Sequence, residues 1–312
     1  MYAGIDGGQS STTAIIADAT GKILGVGHAG PADEVAQDAH SSRLHDAFHL
    51  AINHALRAAN AFPDTAFAAV VAGLSGYNGA VIGRKPEVNS ERFELVHDTR
   101  IAHAAAFGSG AGVIVVAGTG SVAFGINDQG EEARVGGHGY LFGDEGSAFW
   151  IGRRLIQRVM HDEDAALPSP ISKPVLEYFK AGEIGEVSDA FYAGRIDRAA
   201  LAALGKLASE LAAQGIDDAR FIIEQAADAS AALAALCARR LYGNKRVLGR
   251  EVPVAFTGGL MKNAAFAARA KDRLRDRLPE GRIVTAEYSP AAGALLLAYK
   301  ARGLNPLPRI HD

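Results

Sequence analysis

The chain has 312 residues, of which 32 are basic, 35 are acidic and 48% are hydrophobic. The near balance of charge offers no basic surface for a phosphate backbone, so we expect no nucleic-acid partner. No apolar run is long enough to span a membrane, and the N-terminus lacks the pattern of a signal peptide. We therefore expect no membrane partner and a cytoplasmic location, and a length about twice that of a typical domain predicts two lobes.

The first elements form an antiparallel meander followed by a helix. Short strands are predicted at residues 2–5, 12–17 and 22–27, and apolar residues at three- and four-residue spacing predict an amphipathic helix over residues 41–59. Apolar runs at residues 66–72 and 93–96 then predict buried strands, and a short helix is predicted over residues 101–107.

The second half of the chain repeats this opening. Strands are predicted at residues 113–117, 122–126 and 134–135, and residues 147–249 are predicted to be mostly helical, with a proline-containing surface loop at 161–174. Strands at 254–256 and 283–284 flank a helix that begins near Asn263, and a last helix begins at Pro290, since proline suits a first helical turn.

The single cysteine limits the chemistry open to the chain. Cys237 lies in an alanine-rich helical pattern, where a lone thiol is typical of core packing. One cysteine excludes disulfides, thiolate zinc sites and iron–sulfur clusters held within one chain.

Three glycine-rich turns carry the functional signal. The first, residues 4–13, joins an acid at a strand end to two glycines and several hydroxyl residues, which can direct N–H groups at phosphate oxygens and a carboxylate at a divalent cation. By itself this motif is more typical of a simple hairpin turn than of a phosphate site. The second, residues 117–121, has the same construction, and the two together predict a grip on a polyphosphate from both sides. The third, residues 254–263, places a diglycine between a strand and a helix, where a flat base could lie.

The order of these motifs resembles a known superfamily. The strings DGG, AGTGS, GDEGSAFWIG and TGGL, set in a repeated pattern, resemble the actin, hexokinase and sugar kinase superfamily. Within it the chain is most similar to the group of N-acetylglucosamine kinases, bacterial glucosamine kinases and BadF/BadG-type ATPases. The resemblance implies an α/β, two-lobed actin-like ATPase fold of duplicated ribonuclease-H-like βββαβαβα domains. It places one lobe at residues 1–110 plus 290–312 and the other at 111–289.

The resemblance also implies an activity and roles for particular residues. We expect ATP-dependent, Mg²⁺-dependent phosphorylation of N-acetylglucosamine or glucosamine at O6. Asp98 would be the catalytic base, although aspartate at this position could also N-cap the helix that begins near Arg100. Asp6 would hold Mg²⁺ through water. The residues expected to bind ATP are Gly7, Gly8, Gln9, Ser11, Thr12, Gly118, Thr119, Gly120, Ser121, Gly258, Gly259, Leu260 and Asn263.

The same resemblance implies contacts to the sugar. The expected residues are Asp33, Ser75, Asp98, Thr119, Gly120, Gly137, His138 and Asp144. Ser75 could equally be a turn residue and His138 a loop residue without a ligand role. Asp33 stands where the family commonly has asparagine, and His138 lies near the position of a tryptophan in N-acetylglucosamine kinases. The choice between an acetylated and a free amine therefore stays open.

Other functional classes remain as alternatives. A partner-driving ATPase of the BadF type, as in the dehydratase activators, would need cluster-binding cysteines that one Cys237 does not supply. A sugar-responsive regulator would be expected to carry a DNA-binding domain before the first hairpin. A kinase for another hexose or a muramic-type sugar is a further alternative, and a homodimer is compatible with the family resemblance.

Overall fold

The computed structural model describes residues 1–32, 38–243 and 250–305, so the predicted sugar contact Asp33 lies outside the described residues. The chain divides into two compact units. Unit 1 comprises Met1–Ala111 with Thr285–Asp312, and unit 2 comprises Gly112–Val284.

In the described residues each unit opens with three consecutive strands, which helices and further strands follow. The strands are β1 Tyr2–Gly7, β2 Thr12–Ala17, β3 Ile23–Ala29, β4 Ala69–Leu74, β5 Phe93–His97, β6 Gly112–Ala117, β7 Ser121–Ile126, β8 Glu132–Gly136, β9 Val252–Thr257 and β10 Gly281–Val284. The helices are α1 Arg43–Ala58, α2 Asp98–Phe107, α3 Ala148–Asp164, α4 Ser172–Phe179, α5 Ile184–Tyr192, α6 Arg198–Ala213, α7 Asp217–Tyr242, α8 Ala264–Arg277 and α9 Pro290–Lys300. A 3₁₀ turn, Gly259–Lys262, precedes α8.

Both units are built on a mixed sheet with the same strand order. In the described parts of the chain, unit 1 has the order β3-β2-β1-β4-β5 and unit 2 the equivalent order β8-β7-β6-β9-β10. The first strand of each unit pairs antiparallel with the second and parallel with the fourth. The repeat that the sequence predicts is therefore present at the level of sheet topology.

The unit 1 sheet is covered by helices on both faces. The buried face of α1, which includes Leu44, Phe48 and Leu56, packs with one side of the sheet, and α9 packs with the other. A Cβ atom on Gly4 would lie 2.2 Å from the backbone nitrogen of Leu295, so glycine is needed for this close approach of β1 and α9. Burial on both faces accounts for the continuous apolar sequence of β4.

In unit 2, the helices α3 to α7 follow β8 and form most of the core. One described helix, α7, is long and apolar enough to span a membrane by composition, yet 61% of its most apolar window is buried inside the protein. Its residues Ala231, Ala234 and Cys237 pack in the core with strands of the unit 2 sheet. We therefore describe α7 as a core helix.

The predicted loop at residues 161–174 is largely wrong. Helix α3 continues to Asp164 and α4 begins at Ser172, which leaves residues 165–171 as the connection. The side chain of Asp162 is buried and accepts a hydrogen bond from Arg158 Nε at 3.1 Å, which favours the extra turn of α3. Pro174 lies in the first turn of α4, where a missing N–H costs no helical hydrogen bond.

Candidate active site

The predicted site residues of unit 1 lie at one edge of its sheet. The parallel register pairs Gly7 with Leu74 and Leu74 with His97, so β1, β4 and β5 end together. Ser75 and Asp98 directly follow these strand ends. Carboxyl ends of parallel strands are where α/β sheets place their ligands.

The first glycine turn is closed by backbone hydrogen bonds. Gly8 N donates to Ser11 O at 3.0 Å, and Ser75 N donates to Gly7 O at 3.0 Å. Ser11 is exposed and Gln9 is half-buried, so both can reach a ligand. The fully buried Thr12 donates its hydroxyl to Gly30 O at 2.7 Å. Its side chain therefore supports the turn and offers no free hydroxyl proton to a phosphate.

Asp6 is the carboxylate at the end of β1. Burial, and secondarily the charge of Asp98, raise its pKa from an ordinary value of 3.8 to about 7. A carboxylate that is costly to ionise without a counter-charge suits a divalent cation. Mg²⁺ needs only one or two carboxylates when it keeps its waters and binds substrate phosphates, so Asp6 fits this ion.

Asp98 is the first residue of α2, and the alternative interpretation of it as the N-cap is wrong. The N-cap is His97, whose Nδ1 accepts a hydrogen bond from Thr99 N at 3.2 Å. The same Nδ1 lies 2.7 Å from Asp98 Oδ1. Because this nitrogen accepts from Thr99 N it carries a lone pair, and Asp98 Oδ1 is buried without a hydrogen-bond partner among the described residues. The carboxylate is therefore left available for chemistry.

The second and third glycine turns are neighbours in unit 2. Val116 of β6 pairs with Thr257 of β9, so both strands end at the same sheet edge. Gly258 has a φ of 103°, and a Cβ atom there would lie 2.3 Å from Ala117 O. Only glycine permits this backbone contact between the two turns.

Part of the third turn is used for structure. The side chain of Leu260 is buried in the core, and Asn263 N-caps α8 by accepting from Phe266 N at 3.1 Å. Gly259 is exposed. A nucleotide base at this edge would thus meet the backbone of the diglycine, and Leu260 could contribute only its main chain.

The second turn is held by the loop that contains Asp144. Ser121 N donates to Asp144 Oδ1 at 3.3 Å, and Ser121 Oγ donates to Glu145 O at 2.7 Å. Asp144 has a φ of 58°, an uncommon left-handed conformation that aspartate tolerates better than most residues. Burial raises its pKa, and this effect is opposed by the Ser121 N–H and then by Arg198, whose Nη2 lies 2.8 Å from Oδ2.

The N-terminus of α3 also supports this turn. Ala148 N donates to Gly118 O at 2.9 Å and Phe149 N donates to Thr119 O at 3.4 Å, while Ser147 Oγ accepts from Trp150 N at 3.1 Å. These N–H groups would otherwise lack partners at a helix start. The N–H groups at the start of α3 therefore orient the second glycine turn by donating to the carbonyl groups of that turn.

The two remaining predicted contacts follow β8. Gly137, with a φ of 66°, donates its N–H to Ser121 O at 3.0 Å. His138 is exposed, and a Cβ atom on Gly143 would lie 3.2 Å from the His138 Cβ, so His138 lies beside the loop that contains Asp144. Unit 2 thus brings together Gly120, Ser121, Gly137, His138 and Asp144.

Sequence reasoning did not find Arg198 as a partner of Asp144. One signal was present: Arg198 is the first residue of α6, and a basic residue at the positive end of a helix is unfavourable. Such a residue needs a local anion to stabilise it, and the sequence alone did not show which one.

The duplicated sheets and glycine turns define the actin-like ATPase fold. A ROK family glucokinase from Streptomyces griseus, solved with glucose and AMPPNP, shares this fold with a TM-score of 0.56 and 17% identity over 97% of this chain and 99% of that one. Residues 3–298 match the BadF/BadG/BcrA/BcrD ATPase family, and the chain belongs to that family.

Several relatives match over much of the chain. An N-acetylmuramic acid/N-acetylglucosamine kinase of Clostridium acetobutylicum is 26% identical over 207 residues, which cover 65% of this chain and 66% of that protein. An N-acetyl-D-glucosamine kinase of Dictyostelium discoideum is 24% identical across 97% of this chain and 98% of that protein. The crystal structure of a candidate N-acetylglucosamine kinase from Chromobacterium violaceum aligns with a TM-score of 0.76 and 26% identity, covering 95% of this chain and 98% of that one.

Proposed function

We propose that this protein is a sugar kinase that transfers the γ-phosphoryl group of ATP to O6 of N-acetylglucosamine or glucosamine. The observation that carries the proposal is the shared sheet edge of unit 1, where Asp6 and Asp98 interact electrostatically beside the Gly7-Gly8 turn. The names of the relatives from C. acetobutylicum and D. discoideum support an amino-sugar acceptor.

Asp98 would act as the base that accepts the proton of the attacking hydroxyl. Phosphoryl transfer needs mainly positioning and charge neutralisation, so one well-placed carboxylate is sufficient for the proton. Asp98 Oδ1 is buried and has no hydrogen-bond partner among the described residues, so it would be available to accept that proton. Mg²⁺ near Asp6 would neutralise charge on the phosphates.

The turns would bind the phosphates through their backbone. In unit 1 we assign this role to Gly7, Gly8, Gln9 and Ser11, with Thr12 supporting the turn from beneath. In unit 2 we assign it to Gly118, Thr119, Gly120 and Ser121, with Gly258 and Gly259 beside the adenine. Asp144 would accept hydrogen bonds from sugar hydroxyls. A buried acceptor without a donor destabilises the complex by about 1–3 kcal/mol, so a sugar whose hydroxyls donate to Asp144 would bind more tightly than one that lacks them.

The test is ADP release over a panel of acceptors. N-acetylglucosamine, glucosamine, N-acetylmuramic acid and glucose would be compared with no sugar, and 6-deoxy-N-acetylglucosamine would report on the position. We expect sugar-dependent ADP release with an amino sugar and none with its 6-deoxy analogue. ADP release that is the same with and without every sugar would overturn the kinase assignment and favour the partner-driving ATPase. Phosphorylation of the 6-deoxy sugar would overturn only the assignment of O6 as the acceptor position.

A further inference from the structure

Arg198 lies where its own helix does not stabilise it. It is the first residue of α6, directly after the N-cap Asp197, whose side chain accepts from Ala200 N at 2.8 Å. The backbone N–H groups of a first turn carry partial positive charge, which repels a guanidinium. The position of Arg198 must therefore be stabilised by contacts outside the helix.

Those contacts come from the Asp144 loop and from α3. Nη2 of Arg198 lies 2.8 Å from Asp144 Oδ2, in a pair whose side chains are only 19% and 5% exposed. The guanidinium carbon lies 4.9 Å from the ring centre of Tyr140 and 5.7 Å from that of Phe149. A planar guanidinium stacks on aromatic rings in a way that an ammonium does not reproduce. The ring contacts therefore hold Arg198 in one orientation.

Asp144 retains hydrogen-bonding capacity after both of its contacts are made. An ionised carboxylate has about four acceptor sites. Within the described residues, Ser121 N donates to Oδ1 and Arg198 Nη2 donates to Oδ2. The remaining lone pairs can accept from hydroxyl groups, and their directions depend on how these two donors hold the carboxylate.

The charges around Asp144 act in both directions. Burial raises its pKa and Glu145 raises it further, whereas Ser121, Arg198 and His138 lower it. Without Arg198 the Asp144 carboxylate would take up a proton at higher pH. A protonated carboxyl accepts fewer hydrogen bonds, so loss of Arg198 would weaken Asp144 as an acceptor first at acid pH. The carboxylate at this position is thus sensitive to one neighbouring arginine.

We propose that Arg198 is a positioning residue for the acceptor sugar, which acts by orienting the Asp144 carboxylate to accept hydrogen bonds from sugar hydroxyls. This proposal rests on the proposed function, and in particular on Asp144 as a sugar contact. It predicts that substitution of Arg198 changes the KM of the sugar and not that of ATP, and that this change requires Asp144.

The experiment is a double-mutant cycle on steady-state kinetics. R198Q, R198K, D144N and the R198Q/D144N double variant would be measured for the KM of the sugar, the KM of ATP and kcat, from pH 5.5 to about 9, within which carboxyl and histidine groups titrate. Asparagine tolerates the left-handed backbone of residue 144, so D144N preserves the loop. R269Q, which breaks the partly exposed Arg269–Glu224 pair of the same unit, is the matched control.

We expect R198Q to raise the KM of the sugar by about tenfold or more, with the KM of ATP changed less than about twofold. In the D144N background the same substitution should change the KM of the sugar less than about twofold. The loss of sugar kcat/KM on the acid side should begin at higher pH in R198Q, because less positive charge then opposes the raised pKa of Asp144. R198K keeps the charge and should restore the pH profile while the KM of the sugar stays elevated. R269Q should match the unaltered chain.

Two results would overturn the proposal separately from the proposed function. If the unaltered chain is sugar-dependent but R198Q raises the KM of the sugar equally with and without Asp144, Arg198 does not act through that carboxylate. If R198Q raises the KM values of ATP and sugar alike, its role is structural. An unaltered chain with no sugar-dependent ADP release overturns the proposed function, and the role of Arg198 with it.

Discussion

Gly120 and Asp144 are in such close contact that a side chain at position 120 can be accommodated only if the Asp144 carboxylate moves. A Cβ atom on Gly120 would lie 2.8 Å from Asp144 Oδ2 and 3.1 Å from its Oδ1. The glycine turn and the carboxylate loop are thus packed against each other as one element. This contact links a residue proposed to bind phosphate to one proposed to bind sugar.

The first prediction concerns this contact. G120A should lower the free energy of unfolding by about 1–3 kcal/mol and raise the KM of the sugar, because Asp144 must move to admit the methyl group. On the same turn, a Cβ atom on Gly118 would meet only Gly259 N, at 3.9 Å. G118A should therefore unfold like the unaltered chain in urea, and equal destabilisation by both substitutions would contradict the packing described.

The second prediction concerns Asp98. D98N should lower kcat at least about a hundredfold while the KM values of ATP and sugar change little, because asparagine keeps the size of the side chain and one acceptor oxygen for the sugar but cannot take up its proton. Asp46, in the first turn of α1 in the same unit, is a matched control for the loss of a helix-start charge. D46N should keep full kcat. Undiminished turnover by D98N would remove this residue from the mechanism.

The third prediction concerns the stability of the chain without Mg²⁺. The pKa of Asp6 is raised to about 7, so between about pH 4 and pH 7 the folded chain keeps a proton that the unfolded chain releases. Stability therefore falls as pH rises through this window, by an amount on the order of a few kcal/mol. D6N should remove the fall, so that its advantage over the unaltered chain in urea unfolding is larger at pH 8 than at pH 5.

The control for the third prediction has the opposite sign. Hydrogen bonds from Ser42 and His45 lower the pKa of Asp46, so its ionised form stabilises the fold above the unfolded pKa. D46N should accordingly lose stability at pH 8 and not gain it. A D6N advantage that is the same at pH 5 and pH 8 would show that Asp6 has an ordinary pKa.

The fourth prediction concerns the single thiol. Cys237 is fully buried, burial raises its pKa to about 12, and Sγ donates a hydrogen bond to Ala133 O at 3.6 Å. The folded chain should not react with Ellman's reagent at pH 8, since the thiolate is the reactive form. One thiol should react after unfolding in guanidinium. Rapid reaction of the folded chain would mean that α7 opens readily, and would restore Cys237 as a candidate ligand for a shared cluster.

Local patterns were sufficient for much of the fold. Strands β1 and β2 and the start of α9 at Pro290 follow from apolar runs, glycine turns and a proline at a first helical turn, which are signals within a few residues. The repeated order of strands and turns also predicted the duplicated sheet, which the structure confirms. Such features depend on residues that are neighbours in sequence, so they could be predicted without knowledge of the tertiary packing.

Other features depend on residues that only folding brings together. The sequence did not show that His97 caps α2, that the buried Asp162 extends α3, or that Arg198 pairs with Asp144. In the last case 54 residues separate the partners. The choice of partner for a buried charge is made by helix packing and by the loss of solvent, because an ion withdrawn from water must find an opposite charge nearby. Composition and spacing determined which groups this protein has for its chemistry, whereas burial in the folded units decided which carboxylates are shifted in pKa and which residues position them.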